Sequence, residues 1–237
     1  MNNLLNKTII KSSAILLLGS GLFFGGCSST SSTSTDNSTT TTSSTTLSLS
    51  AAVTTLAGTA GSSGSADGTG TAATFNQPYD GTVDNGNLYV TDFGNHLIRK
   101  IVISSGVVTT LAGTGSSGSA DGTGTAASFY SPGGITSDGT NLFVAGINNH
   151  IIRKIVISSG VVTTFAGTGS TGSSDGTGTA ASFNFPFGIT NDGTNLFVVD
   201  GQNHLIRKIV ISSGVVTTFA GTGSRGSADG TGTAASF

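Results

Sequence analysis

The 237-residue chain contains no tryptophan and no glutamate, so all eleven of its acidic residues are aspartate. Charged residues make up 8% of it and Lys plus Arg number nine, for a formal net charge of −2. A nucleic-acid surface normally announces itself as a basic stripe, and so few cations cannot supply one. Polyanionic partners are therefore not expected. A single cysteine, Cys27, excludes an internal disulfide framework and any cysteine-rich zinc site. Helix-favouring Glu is absent and Lys and Leu are sparse, while Val, Thr and Ile recur and glycine reaches 37 residues. That balance favours strands joined by glycine turns over helices.

What is present begins with a distinct N-terminal segment. Lys7 and Lys11 make a positive region, residues 14–24 (AILLLGSGLFF) an apolar one, and Gly25 and Gly26 supply small residues before Cys27. The apolar run is short for a membrane span, which takes about 20 residues. LFFGGC resembles the lipobox of bacterial lipoproteins, with Phe24 where leucine is usual. The resemblance implies lipidation of Cys27 and a membrane partner through that anchor, at the outer membrane or cell surface of a bacterium. Ordinary secretory cleavage, leaving Cys27 as an incidental thiol, is the alternative. Residues 28–50 are almost wholly Ser and Thr. Such a tract buries no apolar surface and reads as a flexible tether, spanning about 25–30 Å as a random coil. The domain reading is thus a lipoprotein signal peptide over 1–27, the tether over 28–50 and a repeat region over 51–237.

That region repeats every 54 residues, as Pro78, Pro132 and Pro186, or His96, His150 and His204, demonstrate. A fixed period of this size means one supersecondary unit stacked on copies of itself. In the middle copy, residues 134–136 read as a first strand and Asp138-Gly139-Thr140-Asn141 as a hairpin turn. Residues 142–144 then make a second strand, 150–157 a third and 161–166 a fourth. Both faces of the third strand are mostly apolar, as expected for a sheet sandwiched between neighbours. Four antiparallel strands repeated in tandem make a propeller, so the fold class is all-β, a β-propeller.

PxGIT, DGTNLFV, NHLIRKI, GVVTTFAG and ADGTGTAASF, in this order and spacing, resemble the NHL repeat across residues 51–237. The resemblance implies a β-propeller, most often of six blades, and relatives that include interaction modules, bacterial sensor domains and enzymes. Three complete four-stranded blades lie in residues 76–221, and residues 52–57 (AVTTLA) align with a fourth strand alone. Three blades cannot close a ring, and an open blade face exposes apolar strands. The chain is therefore expected to be an incomplete propeller, a fragment or truncated gene of a longer one. Assembly of two chains into six blades, a homodimer, is the alternative if the chain is complete.

Four sets of side chains could carry chemistry. One histidine per blade (His96, His150, His204) lies too far from the next to share a metal, and reads as a hydrogen bond fixing the loop between second and third strands. Arg99, Arg153 and Arg207 face Asp92, Gly146 and Asp200 on the preceding strand, which makes an Asp92–Arg99 pair plausible. Gly146 in the middle copy argues for packing rather than a catalytic dyad. The ADGTGTAASF loops carry one Asp each (Asp67, Asp121, Asp175, Asp229), no Glu and no P-loop lysine. They read as turns followed by one helical turn with a phenylalanine beneath, rather than as calcium or phosphate loops. No metal and no cofactor is expected.

Fourth, aromatic and amide residues vary on the constant scaffold: Tyr79, Phe93, Tyr130, Ile147, Asn148, Phe185, Phe187 and Gln202. They sit in connections that share one propeller face, and suit recognition of a protein or glycan; drift after duplication explains them equally well. Gluconolactonase-like propellers use a glutamate ligand, and this chain has none. The leading expectation is a lipid-anchored extracytoplasmic scaffold for protein or glycan binding. A propeller lyase or lactonase with catalytic residues outside these repeats, and a surface spacer, are the alternatives.

Overall fold

The computed structural model describes residues 52–237. The expected signal peptide, Cys27 and the Ser/Thr tether lie outside the described residues. The rest is one compact unit of three antiparallel sheets. The first blade contains β1 (Gly68–Thr69), β2 (Pro78–Asp84), β3 (Asn87–Asp92), β4 (Leu97–Val102) and β5 (Val107–Ala112), in the order β1-β5-β4-β3-β2. The second repeats this with β6 (Gly122–Thr123), β7 (Pro132–Ser137), β8 (Asn141–Gly146), β9 (Ile151–Val156) and β10 (Val161–Ala166). The third uses β11 (Gly176–Thr177), β12 (Pro186–Asn191), β13 (Asn195–Asp200), β14 (Leu205–Val210) and β15 (Val215–Ala220). Each blade therefore has the four expected strands and a fifth.

The fifth strand comes from the glycine-rich loop. Gly68 and Thr69 pair with Val108 and Val107, so the loop that enters a blade covers that blade's outer edge. An exposed edge strand offers unpaired N–H and C=O groups, and this short pairing satisfies part of that row. Gly70 N then donates to Gly106 O at 2.9 Å, tying the loop to the turn that precedes β5. At the inner edge each blade starts with proline, which suits a first strand position because nothing need accept a donor there. Register slips between Pro78 and Gly81, between Pro132 and Ile135, and between Pro186 and Ile189. The slip re-aims residues 79, 133 and 187.

Neighbouring blades bury one another. Tyr89, Ile98, Phe129, Leu142, Val144 and Ile155 form the core between the first and second. Phe143, Ile152, Phe183, Leu196, Val198 and Ile209 form the core between the second and third. Each fully buried Phe contributes about 1.5–3 kcal/mol. Asp80 Oδ2 accepts from Ile135 N at 3.0 Å, and Asn191 Nδ2 donates to Thr136 Oγ1 at 2.7 Å. The innermost strands are thereby linked.

Residues 52–57 correct one expectation: they are not a strand. Gly58 N donates to Gly70 O at 3.1 Å, as Gly113 N does to Gly124 O at 3.2 Å, so the end of the segment keeps the register of a fourth strand. No third strand lies beside it among the described residues, and without that ladder the backbone stays irregular. Leu56 and Ala57 border an apolar recess with Phe75, Leu88 and Val90.

Candidate functional site

One arginine per blade organises the connection between loop and sheet. Arg99, Arg153 and Arg207 project from the third strands and are at most 1% exposed. Their Nη2 atoms donate to Asp67, Asp121 and Asp175 Oδ1, each at 2.8 Å, and to the carbonyls of Ala66, Ala120 and Ser174. Their Nη1 atoms donate to the carbonyls of Thr74, Ser128 and Ser182. Phe75, Phe129 and Phe183 lie beneath the guanidinium groups, 5.1–5.4 Å from ring centre to Cζ, at a distance suited to cation–π attraction. Each aspartate also accepts from a threonine of the fourth strand, Thr110, Thr164 or Thr218.

The loop aspartates are partners that pairing between adjacent strands does not predict. The available signal was one loop Asp per repeat, always 32 residues before the Arg. Asp92 does lie at 2.8 Å from Arg99, and Asp200 at 3.0 Å from Arg207. Both carboxylates are fully buried. Burial pushes the Asp200 carboxyl above its usual range, and hydrogen bonds from Asn184 N, Asn203 and Arg207 oppose that push. The phenylalanines sit beneath single turns of 3₁₀ helix at Gly70–Ala72, Gly124–Ala126 and Gly178–Ala180.

The histidines reach further than expected. His96, His150 and His204 adopt the left-handed backbone, φ 53–58°, which turns the chain after the second strand. His96 Nδ1 accepts from Ser131 N, and His150 Nδ1 from Phe185 N, both at 3.2 Å. Each bond crosses to the following blade, so the imidazole is an inter-blade tether and not a fastening of its own loop. The rings also meet Tyr130 and Phe185 edge-on, with centroids 5.6 and 4.9 Å apart. Burial lowers the affinity of His150 for a proton, with Asp200 pulling the other way. A neutral imidazole is what an accepting Nδ1 requires.

The variable residues lie at the start of the innermost strands and in the loops near them, and the structure joins two of their registers. Tyr79 stacks on Phe93, with centroids 5.7 Å apart and planes 28° apart. A Cβ added at Gly133 would lie 2.7 Å from Ile147 Cδ1, and one added at Gly201 would lie 2.6 Å from Phe187 Cδ2. The pairs are thus large–large, small–large and large–small across the same contact. Tyr79 and Tyr130 are 55% and 41% exposed, and Gln202 is exposed as well. Phe93, Phe185 and Phe187 are half-buried. Ile147 is 4% exposed, so it fills space under Gly133 rather than facing a ligand. Asn148 Nδ2 donates to Ser131 Oγ at 2.9 Å. Among the described residues, no group of three or more His, Cys, Asp or Glu side chains converges on a point.

Comparison with known proteins follows the same lines. No family model matches the chain. It is similar to NHL repeat-containing protein 2 of Gallus gallus, 37% identical over 97 residues that cover 40% of this chain and 13% of the relative. It is also similar to Protein SUPPRESSOR OF QUENCHING 1, chloroplastic, of Arabidopsis thaliana, 40% identical over 100 residues that cover 41% of this chain and 9% of the relative. Among solved structures, it resembles a structural genomics protein of unknown function from Bacteroides thetaiotaomicron VPI-5482. That match has a TM-score of 0.54 and 25% identity, and covers 67% of this chain and 39% of the other. The chain thus spans a small part of the curated relatives it matches. Five-stranded blades joined across their seams by histidines of the repeat, together with the partial matches above, make this chain similar to NHL-repeat β-propellers.

Proposed function

We propose that the chain is a lipid-anchored extracytoplasmic binding scaffold. In this reading Cys27 carries the lipid, residues 28–50 hold the blades away from the membrane, and the inner loop face recognises a protein or glycan. The observation that supports it best is the paired variation at the Tyr79–Phe93, Gly133–Ile147 and Phe187–Gly201 contacts. Bulk moves from one side of the contact to the other while the surrounding scaffold stays constant. The result is a different relief on each blade, with Tyr79 and Tyr130 exposed. Exposed aromatic rings offer large rigid contact area, suited to sugar rings or an apolar peptide side chain.

A glycan array and a partner pull-down with the full chain test the reading, alongside Tyr79→Ser combined with Tyr130→Ser. Retention of a partner by the parent chain and its loss in the double variant is the expected result. A chain that retains nothing in either assay is a spacer, and the binding reading fails. Palmitate labelling that disappears in Cys27→Ser checks the anchor separately.

A further inference from the structure

The middle blade lacks the buried carboxylate that both of its neighbours carry. In the first blade the Asp92 carboxylate is enclosed by three donors: Asn76 N at 2.7 Å on Oδ1, with Arg99 Nη1 and Asn95 Nδ2 at 2.8 Å on Oδ2. Asn184 N, Arg207 Nη1 and Asn203 Nδ2 enclose Asp200 in the same way, at 2.7, 3.0 and 2.8 Å. The middle blade has Gly146 at this register, yet it keeps the donors. Arg153 is 1% exposed and its Nη1 donates only to Ser128 O among the described residues. Asn149 Nδ2 donates only to Gly118 O among the described residues. Tyr130 N, the counterpart of Asn76 N, finds no side-chain acceptor there.

A buried cation needs a counter-charge, and buried donors need acceptors. The one carboxylate that Arg153 retains, Asp121, is 53% exposed. Burial draws the Arg153 guanidinium below its ordinary proton affinity, against the pull of Asp121. We propose that the middle blade binds a compact monovalent anion, chloride or a formate-sized carboxylate, between Arg153 Nη1, Asn149 Nδ2 and Tyr130 N. The anion takes the place that the flanking blades give to an aspartate carboxylate. Size follows from the surroundings: a Cβ on Gly146 would lie 3.2 Å from Ile151 O and 3.3 Å from Ile151 Cγ1. A carboxylate with a longer carbon chain meets that wall. Tyr130 also carries the exposed ring that meets His96, so the proposed site adjoins the seam between the first two blades.

Thermal unfolding of the full chain in detergent tests this, with chloride or formate exchanged for gluconate at constant ionic strength. A ligand that binds only the folded state raises the midpoint with concentration. The expected rise is about 3 °C for a domain of this size. Gly146→Asp is expected to abolish the chloride and formate response. Should the added Cβ strain the hairpin, Gly146→Asp with Ile151→Leu restores the residue pair of the flanking blades. Conversely, Asp200→Gly should lower the midpoint and enlarge the response to formate. In bromide-soaked crystals an anomalous peak is expected beside Arg153 Nη1. Identical midpoints in chloride, formate and gluconate overturn the proposal, as does a full chloride response in the Gly146→Asp chains.

Discussion

Strands β8 and β13 read NLFVAG and NLFVVD, yet they live in different surroundings. Leu142, Phe143, Val144 and Ala145 are all fully buried, because the middle blade has a neighbour on each side. In the third blade Leu196 and Val198 are equally buried against the middle blade, while Phe197 is half-buried and Val199 is 43% exposed. Alternation along a strand assigns residues to two faces. What covers each face is a property of the neighbour and not of the strand. The same two blades differ in their ion pairs: Arg207 has a buried and an exposed carboxylate, Arg153 only the exposed one.

Substitutions at matched positions turn this contrast into measurements. The largest separation is expected at the arginines. Arg207→Met leaves Asp200 buried without its cation and should cost about 3–5 kcal/mol of unfolding free energy. Arg153→Met strands only the half-exposed Asp121 and should cost less than half as much in denaturant titration. Equal losses would mean that the buried carboxylate adds nothing. Next comes Phe143→Ala, at about 3–5 kcal/mol for a fully buried ring. Phe197→Ala, at a half-buried ring that meets Phe219 edge-on at 5.2 Å, should cost clearly less.

The seam between the second and third blades responds to pH through His150. The affinity of His150 for a proton is lowered in the folded chain, so its contribution is complete above the unfolded imidazole value, about 6.5. It is lost as pH falls from there through the lowered folded value, since the unfolded chain binds the proton more readily. A midpoint that falls between pH 7 and pH 5 in the parent chain, and falls less in His150→Ala, is the expected outcome. The smallest effect belongs to Val199→Thr, within about 0.5 kcal/mol on an exposed face.

Much of the architecture was legible in the sequence because repetition made it so. The proline, histidine and arginine registers, the glycine turns and the two-sided apolar strands each recur every 54 residues, and each demands the same local geometry. The Asp92–Arg99 pair was legible for a similar reason, as two residues on adjacent strands. The fifth strand was not, since two residues, Gly68-Thr69, are too short to show a strand pattern and pair only because the loop folds across the blade. Nor was the loop-to-arginine bridge, which joins residues 32 apart. The tethers from His96 and His150 join residues 35 apart in different blades, beyond what strand adjacency predicts. At the loop face the varying residues were visible in the sequence, but their mutual contacts, and the burial of Ile147, were not.

By itself the sequence determined the unit: period, strand order within a blade, and which residues alternate, because local chemistry repeated in tandem leaves few other arrangements. Tertiary structure alone decided what each side chain meets. Whether Phe143 or Phe197 is buried, whether Arg153 has a partner for every donor, and which blade a histidine grips all depend on groups brought near by packing. Proximity across blades carries no local signature in the chain.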